Sequence, residues 1–221
     1  MNKLLIFALL VGIITRIYLI ITLPLWHDEA FSIWASQQPW LQLFSGHVDP
    51  VHPPGYYIFL KIWAKVSIHL AWLRLSTLIF YLANCYLIFR LTSRKAGKNI
   101  AQICLILYLL SGYFVIFDWQ VRMYTATISL ILLSVLIHQS RFQNKSFLWI
   151  IINTAGLYLD YSYVWYFLPL TFIYPLHQIV SNSDNKLRNF LPLILSWYSF
   201  LVLFPSVFSN FRQGIQGIAW A

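Results

Sequence analysis

The sequence predicts an all-α protein: a polytopic membrane helical bundle with about seven transmembrane spans, plus interfacial helices in its first outer loop. Composition is the first reason, since the 221 residues are 60% hydrophobic, 19% aromatic and only 10% charged, far more apolar than a soluble domain. Several windows of about 17–20 residues carry almost no charge, and a helix of that length crosses about 30 Å of hydrocarbon. The basic residues cluster between these apolar runs, as the positive-inside rule predicts.

The first span covers about residues 3–23 and ends at Pro24, because proline cannot continue a helix. It is too long for the core of a signal peptide and lacks a small-residue cleavage site before the acids that follow, so we expect it to be retained. A polar and aromatic loop then extends to about Pro54. Further spans are predicted at residues 71–91, 100–117, 123–140, 147–160, 163–180 and 190–208.

Residues 56–69 are apolar enough for a span, but their polar side chains argue against one. Four of them recur every four residues and so form one polar stripe on a helix: Tyr57, Lys61, Lys65 and His69. We therefore predict an amphipathic helix that lies in the membrane interface, with its apolar side formed by Tyr56, Phe59, Leu60 and Trp63. This assignment also puts the basic loop at residues 90–99 on the same side as Lys3.

The resulting topology is that of a multi-pass protein of the plasma membrane, the inner membrane in a bacterium, with a cytoplasmic N-terminus. Inner loops at residues 90–99, 140–145 and 181–189 each carry Lys or Arg, and the outer side receives residues 26–54, 118–122, 160–163 and the tail 209–221. We predict a single membrane domain over residues 1–221, the N-terminal part of a longer protein. Topology explains the net charge of +9, so no nucleic-acid partner is expected.

Asp28 and Glu29 are two of only six acids in the chain, and they lie side by side just after the first span. One interpretation is an interfacial cap, with Trp26 at the headgroup level and two acids at the N-terminus of a short helix, where the helix dipole favours negative charge. The other is a general base or a metal ligand in a pocket closed by other loops. The residues alone leave both open.

Asp49 and His52 lie in a proline-rich corner that precedes the interfacial helix. Prolines are common at the start of a helix, so a rigid corner is the simpler interpretation. In the functional interpretation the corner holds both side chains above that helix, whose Lys61 and Lys65 face an anionic group.

Asp118, Arg122 and Tyr124 lie at the outer junction of two predicted spans. The four-residue spacing of Asp118 and Arg122 is that of an ordinary helix-surface ion pair, but an arginine at the rim of a span also offers a planar fork for phosphate. Arg16 lies roughly 12 Å below the outer surface, where we expect it to pair with a carboxylate. Arg74 is close enough to the interface to reach it without any function.

In this order, the motifs resemble the N-terminal half of the C-type membrane glycosyltransferases, the group of the protein O-mannosyltransferases and the lipid A aminoarabinose transferase. The resemblance covers about residues 10–125 and rests on WHDEA (26–30), Asp49 with HPPGYY (52–57), LRLS (73–76) and RMY (122–124). It implies a multi-span enzyme that transfers a sugar, with inversion, from a polyprenyl-phosphate carrier to a lipid, glycan or protein acceptor at the outer face of the membrane. Where the family often has a second-loop glutamate this chain has Gln120, so either Asp118 takes the place of the second acid or that acid is absent.

The resemblance also implies roles for single residues. Asp28 is expected to act as the base or to orient the acceptor, and Glu29 to support it or to share a divalent metal ion with it. The carrier phosphate is expected to contact a set of cationic and polar side chains: His52, Lys61, Lys65, Arg74, Arg122 and Tyr124. The main alternative is a membrane transporter, which would place its acids near the midplane; a non-catalytic scaffold or a truncated fragment is the third.

Overall fold

The computed structural model describes residues 3–45, 48, 49, 51–140, 145–180 and 186–203, and over these ranges the chain is all-α, with no strand among them. The predicted tail and parts of the predicted inner loops at 140–145 and 181–189 lie outside the described residues. The helices are α1 (Lys3–Thr22), α2 (His27–Gln37), α3 (Trp40–Ser45), α4 (Gly55–Trp63), α5 (Leu70–Ala96), α6 (Lys98–Leu110), α7 (Gly112–Phe117), α8 (Tyr124–His138), α9 (Lys145–Leu159), α10 (Tyr163–Val180) and α11 (Lys186–Leu203).

The chain divides into two compact units, each described here by itself. Unit 1 comprises Met1–Gln37 and Phe59–Leu132, and unit 2 comprises Gln38–Ile58 and Leu133–Ala221. The single domain over residues 1–221 stays a prediction.

Two helices of the described ranges, α1 and α5, are long and apolar enough to cross a membrane, judged by length and composition. Their 20 and 27 residues correspond to about 30 and 40 Å of helix. The apolar helices α6, α8 and α9, and the part Leu191–Val202 of α11, are shorter. The predicted span at residues 100–117 is divided at Ser111 into α6 and α7. The seven-span bundle therefore stays a prediction.

The core of unit 1 is formed mainly by α1, α5 and α6. The buried residues of α1 recur every three or four positions and so lie on one face of the helix: Leu5, Ala8, Gly12, Arg16 and Ile20. A Cβ atom at Gly12 would lie 2.6 Å from the Tyr81 hydroxyl of α5, so a larger residue there would force a shift. The helices α1 and α5 can therefore approach closely.

The turn from α5 to α6 depends on Gly97, whose φ of 85° is strained for any residue with a side chain. Helix α5 continues to Ala96, so the first part of the predicted basic loop is helical. A glycine in a positive-φ conformation ends a helix sharply, because the chain turns away from the helix axis. The basic residues on both sides of this turn are thereby held close together.

The predicted amphipathic helix is shorter than expected, since α4 ends at Trp63. The indole rings of Trp63 and Trp72 stack with centroids 4.7 Å apart, and each donates its Nε1–H to the other residue's carbonyl oxygen, at 2.9 and 3.1 Å. These contacts between Trp63 and Trp72 hold together the two ends of the turn between α4 and α5. The predicted stripe is wrong beyond Lys61, because Lys65 and His69 follow the helix; nine residues, about 13 Å, are also too few to cross a membrane.

Unit 2 contains a buried polar network that joins α8, α9 and α10. Ser134 donates to Asn153 Oδ1 at 2.9 Å and accepts from the Trp149 indole at 2.8 Å, while the Tyr163 hydroxyl donates to the same Asn153 oxygen at 2.8 Å. Such bonds hold apolar helices together in a fixed register.

Candidate functional site

Glu29 and Arg74 form a buried, two-pronged ion pair in unit 1. Arg74 Nε lies 2.9 Å from Glu29 Oε1, and Nη2 lies 2.6 Å from Oε2; both side chains are 0% exposed. A bidentate guanidinium–carboxylate pair is a form in which two charges can be buried together, since each satisfies the other's hydrogen bonds. Glu29 is thus held inside the protein.

Two backbone amides complete the contacts of the Glu29 carboxylate. The Trp26 amide donates to Oε2 at 3.1 Å, which is the return contact of a capping box from the third helical residue to the N-cap. The Val121 amide donates to Oε1 at 2.9 Å. Each oxygen therefore accepts two N–H groups, and one side chain fixes the loop after α1 to the loop after α7.

The hydrogen bond between Glu29 and the Val121 amide brings Asp28 and Arg122 together. Asp28 directly precedes Glu29 in the sequence, and Arg122 directly follows Val121. Arg122 Nη1 lies 3.1 Å from the Ser32 hydroxyl and 3.5 Å from the backbone oxygen of Asp28, and Nη2 lies 3.5 Å from the Tyr124 hydroxyl. Arg122 is only 4% exposed. The two predicted loops converge within unit 1, as the expected pocket requires.

Asp28 differs from Glu29 in its surroundings although the two are adjacent. Its side chain is 51% exposed, and Nδ1 of the exposed His27 lies 3.6 Å from Asp28 Oδ1. It lies in the first turn of α2, at the positive end of the helix dipole. Of the two acids, Asp28 presents its carboxylate to the outside.

Asp118 is engaged in a second buried ion pair, with Arg16. Arg16 Nη2 and Nε lie 3.0 and 3.3 Å from Asp118 Oδ2, and the two side chains are 0% and 1% exposed. The hydroxyls of Thr125 and Tyr108 donate to Oδ1 at 3.2 and 3.5 Å. The expected carboxylate partner of Arg16 is thus Asp118, and the catalytic role of Asp118 stays a prediction.

Arg74 uses its other donors on carbonyl groups at the end of α1. Nη1 donates to the Ile20 and Leu23 oxygens at 3.0 and 2.8 Å, and Nη2 donates to the Pro24 oxygen at 2.9 Å. The last carbonyls of a helix have no partner within it, so a cation there satisfies them and the negative end of the dipole. Arg74 thus links the end of α1 to Glu29 in this structure. Its contact with the carrier phosphate stays a prediction.

Lys61 has the same relation to α2. Its ammonium group donates to the carbonyl oxygens of Ser36 and Gln37 at 3.2 and 3.4 Å, at the end of the helix whose first turn carries Asp28. The two ends of α2 are separated by about 12 Å along the axis. Lys61 is therefore distant from Asp28, whereas Lys65 is exposed in the turn after α4.

His52 belongs to unit 2, where it is held by Asp49. Asp49 Oδ2 lies 2.9 Å from His52 Nδ1 and 2.5 Å from the Tyr57 hydroxyl, and Oδ1 accepts the Val51 amide at 2.7 Å. Burial raises the pKa of Asp49, but the hydrogen bonds from His52, Tyr57 and Val51 outweigh it and hold that pKa below its ordinary value. The contact with Asp49 uses Nδ1 of His52 and does not involve Nε2.

The side chains of Asp28 and Glu29 do not fit a shared metal site as they are arranged. Both oxygens of Glu29 already accept N–H groups, so a metal ion would have to displace Arg74 or the amides of Trp26 and Val121. Over the described part of the chain, no group of three or more His, Cys, Asp or Glu residues is placed to hold a metal. The metal site stays a prediction, and no chemical step is derived from it.

The contacts of two residues in this region, Ser32 and Trp119, were not predicted from the sequence. Ser32 accepts from Arg122 and donates to the Asp28 backbone oxygen at 2.9 Å; its position four residues after Asp28 could have revealed it, because that spacing puts both on one helix face. The Trp119 ring lies 4.7 Å from the Arg74 guanidinium carbon, and nothing local in the sequence indicates this contact.

Comparison with known proteins gives no match: no protein-family model matches the chain, and no curated protein or solved structure matches it. The resemblance to C-type glycosyltransferases therefore rests on the four sequence motifs.

Proposed function

We propose that this chain is a membrane glycosyltransferase that moves a sugar from a polyprenyl-phosphate carrier to an acceptor hydroxyl, with inversion at the anomeric carbon. The observation that carries the proposal is the proximity of two residues at the junction of two loops: Asp28 has an exposed carboxylate, and its backbone oxygen lies 3.5 Å from the nearly buried guanidinium of Arg122. Such a transfer needs a base on one side of the anomeric carbon and a cation at the leaving phosphate on the other. The site offers one group of each kind.

Asp28 is the base in this proposal. The acceptor oxygen attacks the anomeric carbon from the face opposite the phosphate, and Asp28 takes the proton of the acceptor hydroxyl. The bond between that carbon and the phosphate oxygen breaks, and the phosphate leaves with the electron pair. Asp28 is the acid suited to this step, because half of its side chain is exposed. Both oxygens of Glu29 already accept two N–H groups each.

Arg122 stabilises the leaving phosphate, since its planar fork of N–H groups matches phosphate oxygens. Tyr124 lies beside it, with its ring centroid 5.6 Å from the guanidinium carbon. Lys65, which is exposed on unit 1, is a further candidate phosphate contact. The phosphate contact of His52, a residue of unit 2, stays a prediction. The negative charge that develops on the phosphate is what these groups favour.

Glu29 and Arg74 act as positioning residues rather than as chemical groups. Their ion pair, with the Val121 amide, fixes the loop that carries Arg122 against the helix that carries Asp28. A reacting geometry must be held to within a fraction of an ångström for efficient transfer.

The proposed setting is the plasma membrane, with seven spans, a cytoplasmic N-terminus and the site at the outer face. The lengths and apolar composition of α1 and α5 support membrane insertion. A carrier with a polyprenyl tail resides in the same bilayer, so its phosphate would reach the site from the membrane surface.

The test is the turnover of carrier by the full chain in membrane vesicles, supplied with a panel of polyprenyl-phosphate sugars that includes neutral hexoses and an aminopentose. Mass spectrometry of released polyprenyl phosphate measures turnover. We expect Asp28→Asn to reduce turnover of the accepted carrier by about 100-fold or more, because the amide cannot take the acceptor's proton. Its unfolding midpoint should match that of the unmodified chain.

His27→Gln is the matched control, since His27 is adjacent to Asp28 and 93% exposed, and it should keep full turnover. Equal turnover by Asp28→Asn and the unmodified chain would remove Asp28 as the base. A chain that releases polyprenyl phosphate from no member of the panel would contradict the proposed transfer itself.

A further inference from the structure

A cluster of exposed basic residues lies at one end of unit 1, and the packing of α1 against α5 shows which residues share that end. The Arg16 guanidinium carbon lies 4.3 Å from the Tyr81 ring centroid, while Ile20, one turn further along α1, accepts from Arg74, two turns earlier in α5. The two helices are therefore antiparallel. Lys3, at the start of α1, lies at the same end of the unit as the last turns of α5.

Four exposed cations surround the α5–α6 turn at that same end: Arg90, Arg94, Lys95 and Lys98. No Asp or Glu occurs anywhere between residues 50 and 117. The acids of unit 1 lie toward its other end, and the nearest of them, Asp118, is paired with Arg16 about 20 Å along α1 from Lys3. Together with Lys3, these four cations form a surface that we call the basic end.

The length of α5 places the basic end just beyond one hydrocarbon thickness from the start of the helix. Residues 70–89 contain a single charge, Arg74, which is buried against Glu29. These 20 residues span about 30 Å, the thickness of the hydrocarbon core. The last turns of α5, which carry Arg90, Arg94 and Lys95, extend beyond that length, and Gly97 turns the chain so that Lys98 starts α6 at the same level.

We propose that the basic end binds the phosphate headgroups of anionic phospholipids at one surface of the membrane. Arg90 and Arg94 are four residues apart and so project from one helix face, and a guanidinium binds phosphate through a planar fork. Near an anionic membrane each Lys or Arg contributes about a fivefold gain in affinity. This binding is independent of sugar transfer, because it lies at the end of unit 1 opposite Asp28 and Arg122.

The experiment measures binding of fluorescent phosphatidylglycerol and fluorescent phosphatidylcholine to the purified full chain in detergent, at low and at high ionic strength. Three proteins are compared: the unmodified chain, the neutralised variant R90Q/R94Q/K95Q/K98Q and the charge-preserving variant R90K/R94K/K95R/K98R. We expect the unmodified chain to prefer phosphatidylglycerol by about tenfold or more at low salt, with a smaller preference at high salt. The neutralised variant should lose this preference, and the charge-preserving variant should retain most of it.

Equal affinity of the unmodified chain for both lipids, or an undiminished preference in the neutralised variant, would overturn the proposal. Loss of the preference in the charge-preserving variant would overturn it too, because charge is then not the cause. Displacement of phosphatidylglycerol by short single-stranded RNA at a lower phosphate concentration would assign the surface to nucleic acid instead. If the neutralised variant does not fold, the pairs R90Q/R94Q and K95Q/K98Q serve in its place, each with a partial loss expected.

Discussion

The two buried ion pairs of unit 1 use the same residue chemistry in two different places. Arg74 with Glu29 lies where the loops meet, whereas Arg16 with Asp118 lies deeper along α1. In both pairs the arginine also donates to carbonyl oxygens at the end of a helix: Arg74 to Ile20 of α1, and Arg16 to Leu109 of α6 at 2.9 Å. Each arginine thus neutralises an acid and completes the hydrogen bonds of a helix terminus.

The two acids differ in the hydrogen-bond donors that they accept from. Glu29 accepts four N–H groups at 2.6 to 3.1 Å, two of them from the backbone. Asp118 receives Arg16 on one oxygen at 3.0 and 3.3 Å and neutral hydroxyls on the other. Short bonds between charged partners are the stronger ones. The Glu29 pair therefore fixes the path of the main chain at the candidate site, whereas the Asp118 pair fixes side chains in the helix core.

The largest effect on stability is expected for Glu29→Gln. The change leaves the buried Arg74 guanidinium without a counter-charge, which costs about 3–5 kcal/mol of unfolding free energy. Denaturant unfolding of the purified chain in detergent, followed by tryptophan fluorescence, measures this difference. Sugar transfer should fall as well, because the Val121 contact that positions Arg122 is weakened.

The double variant Glu29→Leu with Arg74→Met is the control for this cycle. It removes both charges, so its loss of unfolding free energy should be smaller than the sum of the losses for Glu29→Leu alone and Arg74→Met alone. Additive losses, or a loss below about 1 kcal/mol for Glu29→Gln, would show that the pair is not the main link between the loops.

A smaller loss is expected for Asp118→Asn, about 2 kcal/mol, the scale of hydrogen bonds to a charged group. The asparagine oxygen can still accept from Thr125 and Tyr108. Arg16 loses its counter-charge and the oxygen that accepts two of its N–H groups, but it keeps its bonds to the Gly12 and Leu109 oxygens. The same unfolding measurement ranks the two variants directly. A greater loss for Asp118→Asn than for Glu29→Gln would reverse the comparison between the two pairs.

Several features were predictable from the sequence because their causes are local. Helix α1 ends at Thr22, two residues before Pro24, and the acids Asp28 and Glu29 occupy the first turn of α2, as proline geometry and the helix dipole favour. The need of Arg16 for a carboxylate partner follows from its depth in an apolar helix. The approach of Asp28 to Arg122 came from the resemblance of the motifs.

Other features depend on contacts between distant residues, which no local pattern reveals. Nothing in the sequence tells which of the neighbours Asp28 and Glu29 is buried, since the answer depends on where Arg74 and Val121 lie in the fold. The helix that was expected to reach His69 stops at Trp63, because stacking on Trp72 outweighs the apolar periodicity of the segment.

A third carboxylate, Asp49 of unit 2, sharpens the comparison because it is held without an arginine. Its donors are His52, Tyr57 and the Val51 amide, so the expected loss for Asp49→Asn at neutral pH is smaller, about 1 kcal/mol. These bonds hold the pKa of Asp49 below its ordinary value. The stability they add is present above the pKa of an unfolded aspartate, about 3.9, and is lost as the pH falls through the lower folded pKa.

Unfolding midpoints measured from about pH 6 down to about pH 3 test this sign, because the curves for the unmodified chain and Asp49→Asn should converge only below about pH 4. His52→Gln provides the second arm. It removes one of the groups that lower the pKa of Asp49, so the stability that depends on this carboxylate should be smaller, and its loss should be complete at a higher pH than in the unmodified chain. Curves that stay parallel for all three proteins would mean that Asp49 titrates alike in the folded and unfolded chain, and its hydrogen bonds would then add no stability that depends on its charge.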